Sequence, residues 1–212
     1  MPDRPRIYVL AGVNGGGKSS VGGATFRASG ADYYNPDEVA REMLDKRPGL
    51  TRTEANKEAW RIGRALLERA IQERRTFAFE TTLGGNTIPR LLAKAAKSGI
   101  EILIWYVGLN SPELHIERVA ARVRRGGHPI PEEMIRQRYE RSRLNLIQLL
   151  PSLTALRVYD NSEDAEPEDG EVPAPRLVLH LEAGRILGPE DLSQTPDWAK
   201  PIVAAALQAG LR

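Results

Sequence analysis

Apolar residues fall along this chain in short, nearly unbroken runs, separated by longer stretches in which they recur every three or four positions. The runs Ile7-Tyr8-Val9-Leu10-Ala11, Thr76-Phe77-Ala78-Phe79-Glu80 and Ile100-Glu101-Ile102-Leu103-Ile104-Trp105-Tyr106-Val107-Gly108 have the continuity of parallel strands covered on both faces. Two shorter runs, Ala31-Asp32-Tyr33-Tyr34-Asn35 and Leu153 to Asn161, read as further strands. The helical spacing lies between them. One helix is opened by the segment Val21 to Phe26, and another starts at Asn35-Pro36-Asp37-Glu38 and runs through Val39, Ala40, Met43 and Leu44. A third covers residues 51 to 74, with Thr53 as cap and Ala59, Ile62, Leu66 and Ala70 as its apolar stripe, widened by Trp60, Leu67 and Ile71. Others lie near Ile88 to Lys97, after the Ser111 cap with Pro112 in the first turn and Val119, Ala120 and Val123 on the apolar face, and after Pro131. Strands alternating with helices predict a three-layer α/β fold with a mostly parallel five-stranded sheet. Arg176 to Leu181 and Gly184 to Leu187 predict an edge hairpin around Glu182-Ala183, and a final helix is expected near Trp198 to Leu211.

The chain has 212 residues, 41% of them hydrophobic, enough for one well-cored domain spanning 1–212. Cysteine is absent, which excludes a disulfide framework, a thiolate metal site and a cysteine nucleophile. No apolar run reaches membrane-spanning length, and the few residues before Ile7 are expected to carry no signal peptide. A cytoplasmic protein without a membrane partner is the expectation. The formal net charge is only +2, but eight arginines fall between Arg118 and Arg143 and seven acids between Asp160 and Glu171. That segregation makes the arginine segment a candidate for anion chemistry.

The sharpest chemical signal comes directly after the first strand. Gly12-Val13-Asn14-Gly15-Gly16-Gly17-Lys18-Ser19, with Ser20 after it, is a complete GxxxxGKS phosphate-binding loop in the required order of strand, loop and helix. The glycines let the backbone turn so that its N–H groups converge on a β-phosphate, Lys18 reaches the β and γ oxygens, and Ser19 supplies a hydroxyl to Mg²⁺. ATP and Mg²⁺ are therefore the expected ligands. The turn after the fifth strand, through Asn161 and Ser162, would lie on the adenine side in this fold.

Other polar residues stand at the carboxyl ends of strands, where a doubly wound sheet gathers its site. Asp37 is a candidate general base, or a first-turn carboxylate favoured by the helix dipole. Glu80 and Thr82 suit a polar substrate or the surroundings of Mg²⁺, although Thr81, Thr82 and Asn86 could equally satisfy turn backbone. Glu80 is harder to dismiss, since a carboxylate ending an apolar strand needs a buried partner or a metal. Arg118, Arg122 and Arg125 share a helix face at i, i+4 and i+7, where like charges repel unless an anion lies between them. Gly126-Gly127-His128-Pro129-Ile130-Pro131 comes next as a hinge, and a second helix carries Arg136, Arg138, Arg141 and Arg143. Together residues 113–143 read as a lid over a triphosphate. The alternative is a solvated basic surface.

With these residues in view, the chain resembles the zeta toxin family of P-loop kinases over residues 7 to about 162. The resemblance rests on the phosphate loop, Asn35-Pro36-Asp37-Glu38, Glu80-Thr81-Thr82-Leu83, Arg118 within Ile116-Glu117-Arg118, the Gly126 to Pro131 segment and Tyr159-Asp160-Asn161-Ser162. It implies transfer of the γ-phosphoryl group of ATP to a small-molecule hydroxyl, with the nucleotide sugar UDP-N-acetylglucosamine as the best single acceptor. It also implies Asp37 as the base, Glu80 and Thr82 as acceptor-site residues, and Arg118 with Arg125 as the γ-phosphate arginines. The shortened lid leaves Arg122, Arg125 and His128 as alternatives for the second lid residue. An antitoxin protein is the macromolecular partner that this family admits. Another nucleotide, sugar or polynucleotide end is the alternative acceptor. An ATPase switch that binds nucleic acid is the alternative class. Against that class, the arginines lie beside the lid and not on a stripe interleaved with aromatics.

Overall fold

The computed structural model describes residues 4–18, 21, 33–163 and 174–210. All but Val21 of the helix expected at Val21 to Phe26, the loop residues Ser19 and Ser20, and most of the acidic stretch lie outside them. Five strands run parallel in the order β2 (Tyr33–Tyr34), β3 (Phe77–Thr81), β1 (Arg6–Ala11), β4 (Glu101–Gly108) and β5 (Ala155–Asp160). The sheet does not stop at the expected five. β6 (Arg176–Glu182) pairs antiparallel with β5, and β7 (Arg185–Gly188) pairs with β6, so the hairpin continues the same sheet to seven strands. The added hairpin covers the backbone edge that β5 would otherwise leave unpaired.

Parallel register sets the site. Leu10 lies opposite Glu80 and Trp105, Ala11 opposite Thr81 and Tyr106, and Gly108 opposite Asp160. The carboxyl ends of β3, β1, β4 and β5 are thus side by side, and the loops leaving them open into one crevice. Beneath that crevice Ile7, Val9, Phe79, Ile102, Ile104, Leu156 and Val158 fill the main core, while Leu10, Ala78 and Val107 pack on the opposite face of the sheet.

Helix α1 (Pro36–Lys46) is capped by Asn35, whose side chain accepts from the amides of Asp37 and Glu38. Helix α2 (Arg52–Gln72) is capped two residues earlier than expected, by Thr51 and not Thr53. Thr51 and Glu54 form a reciprocal capping box, in which each side chain takes the other's backbone N–H. The buried face of α2 is also rotated from the expected stripe. Ala55 and Ala59 pack on Ala40 of α1, the Tyr34 hydroxyl donates to the Ala59 carbonyl at 2.5 Å, and Leu67 and Ala70 join the main core. Trp60, Ile62 and Leu66 are exposed. Close approach to Tyr34 selects the small-residue side, and a Cβ at Gly63 would meet that ring.

Helix α3 (Thr87–Lys97) covers the sheet through Leu92 and Ala95. Helices α4 (Pro112–Arg124) and α5 (Glu132–Leu149) form the arginine-bearing segment, with Ser111 capping α4 as expected. On α4 the inward residues are His115, Ile116, Val119 and Val123, and Ala120 is exposed, because the helix turns toward the phosphate loop and not away from it. The final helix, α6 (Lys200–Gln208), buries Ile202, Val203 and Ala206. Trp198 ahead of it seals Gly108, where any Cβ would strike the indole.

The rotation of α2 has a measurable consequence. Leu67→Ala should cost about 2–5 kcal/mol in urea unfolding, as expected for a leucine with no exposed surface. Leu66→Ala, its exposed neighbour, should cost less than about 1 kcal/mol.

Candidate active site

Gly12 leaves β1 with φ +140°, and a Cβ there would run into the carbonyl oxygen of Val107. Only glycine lets the chain turn at this point against β4. Its amide stays in the sheet by donating to the Thr81 carbonyl at 3.2 Å. Gly17, at φ +80°, lies against the Asn161 amide, which donates from Nδ2 to the Gly16 carbonyl at 3.1 Å. Lys18 is 7% exposed and folds back into the loop, donating to the carbonyls of Gly12 at 2.9 Å and Val13 at 3.4 Å. The tight turn and the buried ammonium fit a phosphate group at this point.

Asn161 and Ser162 form one wall. Asn161 donates its backbone N–H to the Gly108 carbonyl, and its own carbonyl accepts from Arg118 at 2.7 Å. Arg118 also donates to the carbonyls of Ser162 and Glu163. Asp160 anchors this wall by accepting from the Ser162 hydroxyl and amide, from Trp198 Nε1 at 3.2 Å and from Arg176 at 3.3 Å.

The opposite wall holds the carboxylates. Glu80, whose side chain is 11% exposed, places Oε1 3.4 Å from Lys18 Nζ. Its Oε2 accepts from the Tyr33 hydroxyl at 3.1 Å and from Asn35 Nδ2 at 3.3 Å. Asp37 is half-buried one residue into α1. The threonines take the turn role: Thr81 and Thr82 hydroxyls accept from the amides of Leu83 and Gly84. Asn86 forms no side-chain cap. Helix α5 fixes this turn from above, since Ser142 donates to the Thr82 carbonyl at 2.7 Å and Asn145 to the carbonyls of Leu83 and Gly85.

Arg118, Arg122 and Arg125 do share one face, which lines a groove of about 410 Å³ with Glu117, Ala121 and Arg124. Their side chains then diverge. Arg118 reaches the Asn161 wall, Arg122 donates to the His128 carbonyl at 3.3 Å, and Arg125 is exposed at the end of α4. His128 and Arg138 turn toward the carboxylate side. Burial lowers the pKa of His128 from its ordinary value, as do Arg122 and Arg52, while Asp37 pulls it back up. Burial also lowers the Arg138 pKa, again opposed by Asp37. Arg138 donates to the Asn14 side chain at 2.7 Å. Asp37 therefore lies within electrostatic reach of His128, in the connection between the two helices, and of Arg138 on α5. Among the described residues, no group of three or more His, Cys, Asp or Glu is arranged to hold a metal ion.

A family model for zeta toxin matches residues 1–166. The chain belongs to the zeta toxin family. An uncharacterized protein of Haemophilus influenzae is 33% identical over 144 residues, covering 64% of this chain and 99% of that protein. A chain of the AvrRxo1-ORF1:AvrRxo1-ORF2 complex with ATP shares the fold at a TM-score of 0.66 and 15% identity, covering 97% of this chain. This zeta toxin family chain spans only 64% of that neighbour's length. A chain of the PezAT chromosomal toxin–antitoxin system of Streptococcus pneumoniae shares it at 0.53 and 15% identity, covering 100% of this chain and 88% of that one.

Two residues of the zeta toxin crevice escape a reading by motif. Arg138 stands three after Ile135 and four before Ser142, both fully buried, and an arginine on a core-facing stripe was the available signal. His115 precedes buried Val119 by one turn in the same way. It is 1% exposed, packs edge-on against Tyr139, and donates from Nδ1 to the Asn14 carbonyl at 2.9 Å, leaving Nε2 buried without a partner. Asn14 is thus held by α4 through its backbone and by α5 through its side chain.

Burial, with smaller contributions from Lys18 and Arg118, depresses the His115 pKa from 6.5 to about 4, against the Asn14 hydrogen bond that raises it. Between these values the unfolded chain takes up a proton that the folded chain refuses, so stability falls as pH drops from 6.5 to 4. At 1.36 kcal/mol per unit the loss is about 3 kcal/mol. His115→Gln, which keeps a donor toward Asn14, should remove that loss. Urea midpoints at pH 7 and pH 4.5 should diverge less in the variant than in wild type.

Proposed function

We propose that this zeta toxin family protein is an ATP-dependent kinase that transfers the γ-phosphoryl group to a hydroxyl of a small molecule, with UDP-N-acetylglucosamine as the acceptor to test first. The observation that carries this reading is the buried Lys18 in its glycine loop, with Glu80 beside it and with Arg138 bonded to the loop residue Asn14 within electrostatic reach of half-buried Asp37. Asp37 takes the proton of the acceptor hydroxyl, whose oxygen forms a bond to phosphorus as the bond to the ADP oxygen breaks and ADP leaves with the electron pair. Lys18 holds the oxygens on which charge accumulates, and the Asn161 wall with Arg118 receives the nucleoside. Ser19 is the residue that would hold Mg²⁺, which would supply positive charge to offset that of the triphosphate. The likeness to a chain from a toxin–antitoxin system makes an antitoxin protein part of this proposal.

Incubation with ATP and UDP-N-acetylglucosamine should yield ADP and a sugar nucleotide heavier by one phosphoryl group, read by mass spectrometry. Lys18→Ala should abolish the product. Asp37→Asn should keep ATP affinity and lower the rate by roughly 10²-fold or more, the scale of a lost general base. A pool of cell metabolites in place of the nucleotide sugar would identify another acceptor.

Within the lid, Arg138 is the added candidate for gripping the γ-phosphate. It is drawn inward by Asn14 and Asp37, whereas Arg125 is exposed. Arg138→Ala should lower the rate by at least tenfold while ADP affinity changes less than threefold, because ADP lacks the gripped group. Arg138→Lys should rescue poorly, since an ammonium lacks the planar fork. Arg125→Ala should have the smaller effect on rate.

A further inference from the structure

Glu80 stands in the crevice with both carboxylate oxygens committed. Oε1 faces Lys18 Nζ at 3.4 Å, and Oε2 accepts from Tyr33 at 3.1 Å and Asn35 Nδ2 at 3.3 Å. The Asn35 amide is in turn oriented by that bond, which leaves its Oδ1 to accept from the amides of Asp37 at 2.9 Å and Glu38 at 3.4 Å. A continuous chain of polar contacts therefore runs from the phosphate-loop lysine, through Glu80 and Asn35, to the first turn of α1. Each member is largely enclosed: Lys18 is 7% exposed, Asn35 8%, and the Glu80 side chain 11%.

We infer that Glu80 is a positioning residue that holds Lys18 on one oxygen and, through Asn35, the helix start that carries Asp37 on the other, and is not a contact for the acceptor. This inference deepens the kinase reading and rests on it for the roles of Lys18 and Asp37. A carboxylate so engaged has little left to offer an acceptor hydroxyl, and its geometry explains why an acid ends an otherwise apolar strand. In the chain without nucleotide, Glu80 and the phosphates are rivals for the same ammonium. Nucleotide binding then exchanges one anion for another, and the Asn35 bond lets that exchange be felt at Asp37.

Two variants of the full chain test this without knowledge of the acceptor. Glu80→Gln keeps the size and an acceptor oxygen for Asn35 but removes the charge that competes for Lys18. Binding of a fluorescent ATP analogue in EDTA should tighten about tenfold. Glu80→Ala removes the Asn35 anchor, and amide hydrogen exchange at Asp37 and Glu38 should quicken at least fivefold while exchange in the middle of α1 stays unchanged. Unchanged or weaker analogue binding in the Gln variant, with unchanged exchange in the Ala variant, would overturn the inference and return Glu80 to the acceptor. Uniformly faster exchange along α1 would also overturn it, as the mark of general unfolding. A wild-type chain that bound no analogue would instead remove the nucleotide reading, and the exchange measurement would still decide whether Glu80 holds the helix start.

Discussion

A lysine ammonium that is 7% exposed cannot stay charged in a protein interior unless oxygens surround it, and the crevice is arranged around meeting that demand at Lys18. Two loop carbonyls supply part of it, and they face inward because the chain turns at Gly12, where Val107 admits no side chain. The Glu80 carboxylate supplies the rest from the adjacent strand, at a place set by the Leu10 to Glu80 register. The demand is met in a way that an arriving anion can take over. The contacts that shape the loop are thus the same ones that offset the cost of burying the ammonium.

From that centre the other contacts are tethers. Asn14 is tied to α4 by His115 and to α5 by Arg138. The turn after β3 is tied to α5 by Ser142 and Asn145, with Tyr106 donating to Ser142 from the core beneath. The arginine segment therefore does not float over the crevice as a free flap. Its inner faces are bonded to the loops on either side, while the residues from Arg124 to Gly126 remain exposed. Motion of such a segment would be confined to the connection between the two helices.

The parallel core and the phosphate loop were legible in the sequence because both are local. Continuous apolar runs such as Ile100 to Gly108 leave no other reading, and the loop's spacing is read off directly. The rotation of α2 was not legible. Ile62 and Leu66 are more hydrophobic than Ala55 and Ala59, and only the close approach of Tyr34 and Ala40 shows that the small residues face inward. The same holds in the crevice. Lys18 could be picked out from the loop motif, and Glu80 and Asp37 from their places at strand ends, but that Glu80 meets Lys18 depends on which strands are neighbours. Arg138 and His115 could be found only by asking why a cation and an imidazole stand on core-facing stripes. The Thr82 hydroxyl accepts from the Gly84 amide at 3.4 Å, which uses one lone pair and leaves its proton to donate.

The family match ends at residue 166, yet the crevice wall depends on residues beyond that point. Asp160, which accepts from Ser162 on the wall, also accepts from Arg176 at the start of β6 and from the Trp198 indole ahead of α6. The same indole lies against Gly108, where β4 ends beside the phosphate loop, and the Trp198 backbone carbonyl accepts from Arg143 of α5. Residues 176–208 thus bind the wall, the strand end and the arginine segment to one another around a single tryptophan. A carboxylate with partners on both sides of residue 166 is a poor place to divide a chain, since removing the later partners would leave a side-chain carboxylate only 10% exposed without its arginine and its indole. The C-terminal extension is in this sense part of the site's foundation: its role is to fix the position of the groups that line the crevice.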